Sequence, residues 1–106
     1  MMMQDIEDKY IGRRIDQNRL DRNFHMMGKF GRASMYDFSF NTDDYTISTD
    51  LCIERGRITG IVPDKEQRED DWGYNPNPGP AEMQPEEYDT LAQYLETVVA
   101  REEPAR

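Results

Sequence analysis

One histidine, His25, and one cysteine, Cys52, are the strongest metal ligands and nucleophiles in this chain of 106 residues. A zinc site takes several His or Cys ligands at set spacing, and two such residues do not supply them. A Cys–His nucleophilic couple would have to be this pair, with the imidazole drawing the proton from the thiol. Cys52 falls on the polar parity of an alternating run and His25 stands beside Met26 and Met27, so no such couple is expected. Gly28-Lys29-Phe30-Gly31 and the stretch from Gly56 to Gly60 lack the spacing of a phosphate-cradling loop. Neither residues 41–44 nor 70–75 place oxygens and glycine as an EF-hand requires. Adjacent carboxylates remain, Asp43/Asp44 and Asp70/Asp71, but neighbouring acids in a polar loop are ordinarily solvated surface. The sequence therefore predicts no catalytic residue, no cofactor and no metal, and a carboxylate-based enzyme is the lesser alternative.

Charge is the larger signal. The chain has 22 acids against 13 Lys and Arg, a formal charge of -9. Residues 1–36 hold seven cations and five acids, whereas residues 37–106 hold six cations and seventeen acids. Such a field repels nucleic acid and draws basic partners quickly in a salt-dependent way. The acids expected to meet a partner are Asp43, Asp44, Glu66, Glu69, Asp70, Asp71, Glu86, Asp89 and Glu96, with Trp72 and Tyr74 as aromatic anchors. Spaced carboxylates on a small domain imitate a phosphate array and occupy the groove that normally holds one.

In charge and size the chain resembles small phage inhibitors of host defence and the acidic immunity proteins that block basic nuclease toxins. That resemblance implies a non-enzymatic inhibitor or regulator acting by electrostatic and steric occlusion. Its partner would be a larger protein with a basic, nucleic-acid-binding surface, with no direct contact to nucleic acid or membrane. The alternative is a structural subunit or homodimer that uses an exposed sheet face bearing Tyr36, Phe38 and Phe40. Arg13, Arg14, Arg19, Arg22, Lys29 and Arg32 form a third candidate surface, and their expected fate is internal pairing with the acidic half. Arg55-Gly56-Arg57 reads as a hairpin turn.

The elements that position these residues follow from periodicity. Asp16 is placed to cap a helix over residues 17–27, with Ile15 and Leu20 as a staple, Leu20, Phe24 and Met27 on one face, and Gly28 as the stop. From residue 34 the period falls to two. Tyr36, Phe38 and Phe40 alternate with polar residues, as do Tyr45, Ile47, Thr49, Leu51 and Ile53. Polar residues 41–44 and then Arg55-Gly56 mark the turns of an antiparallel three-stranded meander over 34–62, ended by Pro63. Residues 10–15 are a candidate fourth strand or the end of a first helix. Residues 64–84 read as an extended acidic, proline-rich loop. Tyr88, Leu91, Ala92, Leu95, Val98 and Val99 then give one face of an amphipathic helix over 85–101, opened by Pro85.

The expected fold is thus α+β, one domain over 1–106, with helices on one face of the sheet and residues 102–106 fraying. Leu, Ile, Val and Phe number 18 of 106, so the core must be thin. No run approaches the roughly 20 apolar residues of a membrane span. No basic segment followed by an apolar run opens the sequence, so a secretory leader is not expected. With a single cysteine, the expected setting is the reducing cytoplasm.

Overall fold

The structure, a computed structural model, describes residues 1–42, 44–67 and 82–101. Over these residues the order is α1 (Met3–Tyr10), α2 (Gln17–Asn23), β1 (His25–Phe30), β2 (Ala33–Asn41), β3 (Tyr45–Glu54), β4 (Arg57–Gln67) and α3 (Pro85–Glu96). The strands pair with their sequence neighbours, giving an antiparallel meander β1-β2-β3-β4. An α+β fold with a four-stranded meander and flanking helices is what the alternation and the two helical signals imply.

Four boundaries differ from the sequence expectation, each for a physical reason. The second helix stops at Asn23 instead of residue 27. Asp16 caps it as expected, accepting the Arg19 backbone N–H at 3.2 Å. Residues 25–30, however, ladder against β2 as a hairpin closed by Gly31 at φ +64. Histidine, glycine and phenylalanine are poor helix formers, so the cross-strand bonds of β1 outweigh about one more helical turn. Leu20 and Phe24 are buried in either form, whereas Met27 sits at a register shift and is half exposed. The fourth strand is therefore β1, not residues 10–15.

Those residues meet β4 only through an isolated bridge, Arg14 to Arg57, while Ile15 bridges Val99 beyond α3. β4 itself runs past Pro63 to Gln67. It pairs with β3 on one side, and a proline on such a strand loses no ladder bond when its nitrogen faces the other side. The last helix ends at Glu96 instead of 101. Thr97, Val98 and Val99 are β-branched, and the backbone there bonds residues 14–16 instead, with Asp16 N–H to Val98 O and Ala100 N–H to Arg14 O both at 2.8 Å.

One face of the sheet is covered. Tyr36, Phe38, Phe40, Ile47, Leu51, Ile53, Ile58 and Ile61 are buried there against Leu20, Phe24, Leu91, Leu95 and Val98. Phe24 stacks on Phe38 with ring centroids 4.2 Å apart, and Tyr94 of α3 lies over Phe38 and Phe40. Helix α1 seats Ile6 and Tyr10 in the same core. The Tyr10 hydroxyl donates to Glu96 Oε1 at 2.9 Å and lies 3.2 Å from Ala92 O, tying α1 to α3. Burial first, and then the Glu96 carboxylate, push its phenol far above the ordinary tyrosine range.

Candidate functional site

The other face of the sheet has no described helix over it, and its composition follows from strand parity. Register aligns the outward residues in transverse rows. The central row is His25, Asp37, Asp50 and Val62, and beside it lie Ser39, Ser48 and Asp64, then Asn41, Thr46 and Glu66. On the other side run Gly28, Met35, Cys52 and Gly60, then Phe30, Ala33, Glu54 and Arg57.

Asp37 and Asp50 are direct register partners on neighbouring strands. Opposed Cβ atoms there are about 5 Å apart, and like charges so placed destabilise a sheet. Neither carboxylate makes an ion pair or side-chain hydrogen bond among the described residues, and the same holds for Asp64, Glu66 and Asp44. Asp64 and Glu66 are exposed on β4, and Asp44 is exposed where the chain turns from β2 into β3. Among the described residues, these five acids thus lie along one open face and its end without internal neutralisation.

The expected partner-binding residues divide around this face. Glu66 is on it, and Asp44 stands at its edge. Asp43, Glu69, Asp70, Asp71, Trp72 and Tyr74 lie outside the described residues. Glu86, Asp89 and Glu96 are on α3, which packs on the covered side, so they do not share a surface with Glu66. Glu96 is also engaged internally, by the Tyr10 hydroxyl and by Lys9 Nζ at 3.4 Å. Asp89 lies 2.9 Å from the Met1 amine. Among the described residues, Glu66 and the acids of α3 thus lie on different sides of the sheet.

Sequence reasoning missed Asp37 and Asp50, and met Asp64 only as the start of the acidic stretch 64–84. Their polar parity was visible, but which strand residue faces which depends on register, and alternation alone does not fix it. It also missed Lys65, which the charge run disguises. Parity puts Lys65 with Ile61 and Pro63 on the covered face, where it is buried. Its Nζ donates to Glu87 Oε1 at 2.7 Å and to Glu82 O at 3.2 Å, and lies 4.3 Å from the Tyr45 ring centroid. Glu87 Oε1 also accepts the Gln84 N–H at 2.7 Å, so one carboxylate caps α3 and pins the end of β4 to it.

His25 and Cys52 both face outward, but β2 lies between their strands, so they cannot share a proton. No cluster of three or more His, Cys, Asp or Glu with metal-binding geometry occurs among the described residues. No described helix is long and apolar enough to cross a membrane. No protein-family model, curated protein or solved structure matches the chain.

Proposed function

We propose that this protein is a small, non-enzymatic, acidic binding protein of the cytoplasm that inhibits or regulates a larger protein which handles nucleic acid. The observation that carries this reading is the Asp37–Asp50 register pair, unneutralised and half-buried on an open sheet face. A like-charge pair there costs stability, and that cost is recovered when a cation from outside enters between the carboxylates. Asp64, Glu66 and Asp44 continue the negative potential toward one end, a layout that suits a basic groove vacated by phosphates. Occlusion is then steric and electrostatic together. A phage-type inhibitor of host defence and an immunity-like protein both fit the charge and size.

The test is capture of proteins on the immobilised chain at about 50 and 500 mM salt, with added duplex DNA as competitor, followed by mass spectrometry. The reading expects basic nucleic-acid-binding proteins that are released by salt, displaced by DNA, and lost with the Asp37→Asn/Asp50→Asn variant. Capture that ignores both salt and that variant would overturn it.

A second reading, a homodimer or adaptor subunit, rests on apolar residues of the open side and its edge. Phe30 and Val62 are 65% and 58% exposed. Tyr36, Phe38 and Phe40, the residues first expected to serve such an interface, are instead buried beneath the helices. Sedimentation of the pure protein separates the readings, because an obligate dimer stays associated at micromolar concentration.

A further inference from the structure

The fold gathers cations that the sequence scatters. Arg19 and Arg22 go to α2, where Arg19 approaches Asp16 at 3.8 Å and Arg22 Nε donates to Asn18 O. Arg14, Lys29, Arg32, Arg55 and Arg57 converge on the opposite end of the sheet from Asp44 and Glu66. The convergence is fixed by backbone bonds: Phe30 pairs Ala33, Ala33 pairs Glu54, Glu54 pairs Arg57, and Arg57 bridges Arg14. Four inter-strand steps of about 4.8 Å make this row roughly 19 Å long. All five cations are exposed, and none has a carboxylate within ion-pair distance among the described residues. Among the described residues, these five do not show the internal pairing expected with the acidic half.

At this end lies an open groove of about 540 Å³, lined by Ile11, Gly12, Glu54, Arg55, Arg57, Ile58 and Thr59. Its exposed aliphatic side chain is Ile11, at 40%, while Ile58 is fully buried. Two devices shape it. Arg57 donates to Gly12 O at 2.9 Å, which fixes one end of its guanidinium and leaves other donors outward. Arg55 occupies the hairpin tip at φ +55 beside Gly56 at φ +74, so its side chain is carried on a tight turn.

We propose that this groove holds a short acidic and aliphatic peptide segment of a protein partner, with carboxylates on Arg55 and Arg57 and an apolar side chain against Ile11. The groove lies at the end of the sheet away from Asp44 and Glu66, and the proposal does not depend on the function assigned to the acids. Three features favour a peptide over a nucleic-acid strand. Aliphatic residues offer bases no stacking platform, and Phe30 lies three strand steps away from Arg57. Glu54 on the rim opposes an unbroken phosphate chain, whereas a peptide can leave that position neutral or meet it with an N–H. The charge of -9 repels a long polyanion far more than a segment with a few carboxylates.

Fluorescence anisotropy tests this with three labelled probes: a decapeptide of alternating glutamate and leucine, its counterpart with serine for leucine, and a 20-residue oligothymidylate. The expected result is saturable binding of the first probe, at least tenfold weaker binding of the other two, and a loss of at least tenfold in Arg55→Glu. Ile11→Asp should lose as much, while Asp37→Asn/Asp50→Asn should stay within twofold, with thermal melts confirming that each variant is folded. Oligothymidylate binding as tightly as the peptide, absence of saturable peptide binding, or an Arg55→Glu variant within twofold of the parent would each overturn the proposal.

Discussion

Lys65 on the covered face of the sheet has a carboxylate, a carbonyl and an aromatic ring as neighbours, whereas Asp37 and Asp50 on the open face oppose each other with no ion pair or side-chain hydrogen bond among the described residues. Desolvation explains the difference. A charge taken out of water costs several kcal/mol unless a partner is fixed beside it, so the covered face tolerates Lys65 only with Glu87 in place. Water screens the open face, and like charges persist there at a cost of a few tenths of a kcal/mol. Internal pairing thus tracks burial, and the charges left for other molecules are those the fold did not need to satisfy.

The largest effect should come from breaking the covered pair. Glu87→Gln keeps an acceptor for the Gln84 N–H but leaves the Lys65 ammonium, only 7% exposed, without its counter-charge. A loss of about 3 kcal/mol is expected from the denaturant midpoint. Lys65→Met combined with Glu87→Gln, which leaves neither charge buried alone, should cost less than about half of that. If both changes cost under about 1 kcal/mol, the covered face is wetter than its burial implies and the contrast between the faces fails.

Tyr10 sharpens the same side through pH. Its folded-state phenol ionises only far above the ordinary value of about 10, because burial and Glu96 both oppose the phenolate. A raised folded value means stability is fully present below pH 10 and falls as pH rises beyond it, since the unfolded chain loses the proton first. Tyr10→Phe should remove the part of that alkaline slope due to this residue. At neutral pH it should cost about 1 kcal/mol for the bond to Glu96. An unchanged slope in urea melts between pH 9 and about 11 would place the hydroxyl in water.

Thr49 is the covered face's exception. It is fully buried, and its hydroxyl has no hydrogen-bond partner among the described residues. Thr49→Val keeps the shape and removes an unsatisfied group, so a gain of about 1 kcal/mol is expected by thermal melting. A loss of similar size would mean that the hydroxyl is satisfied.

Strand alternation made the core face of β2 and β3 legible before any coordinates, because period two assigns faces without reference to partners. Helix α3 was legible from Tyr88, Leu91 and Leu95 in the same way. Residues 24–27 were not, since Leu20, Phe24 and Met27 fit a helical face while the hairpin that claims His25 onward is a tertiary choice. The candidate surfaces were least legible. The Asp37–Asp50 pair depends on register, and the arginine end depends on Arg14, Arg32 and Arg57 meeting from three parts of the chain. Both are products of topology, to which composition is blind.

The smallest stability effect falls on the open face, and it discriminates most sharply between solubility and recognition. Asp37→Asn and Asp50→Asn each remove the whole mutual repulsion, so each should gain about 0.5 kcal/mol and the double variant hardly more. The gain should vanish at about 1 M salt, where the Debye length is shorter than the distance between the carboxylates. Partner binding should move the other way, with the double variant losing at least tenfold while the fold becomes firmer. Additive stability gains would mean that the two carboxylates do not feel each other. Unchanged binding would reduce them to solvated surface. Opposite signs for folding and binding in the same variant are what a pair held for an outside cation must give, because the charge that strains the free sheet is the charge the partner neutralises.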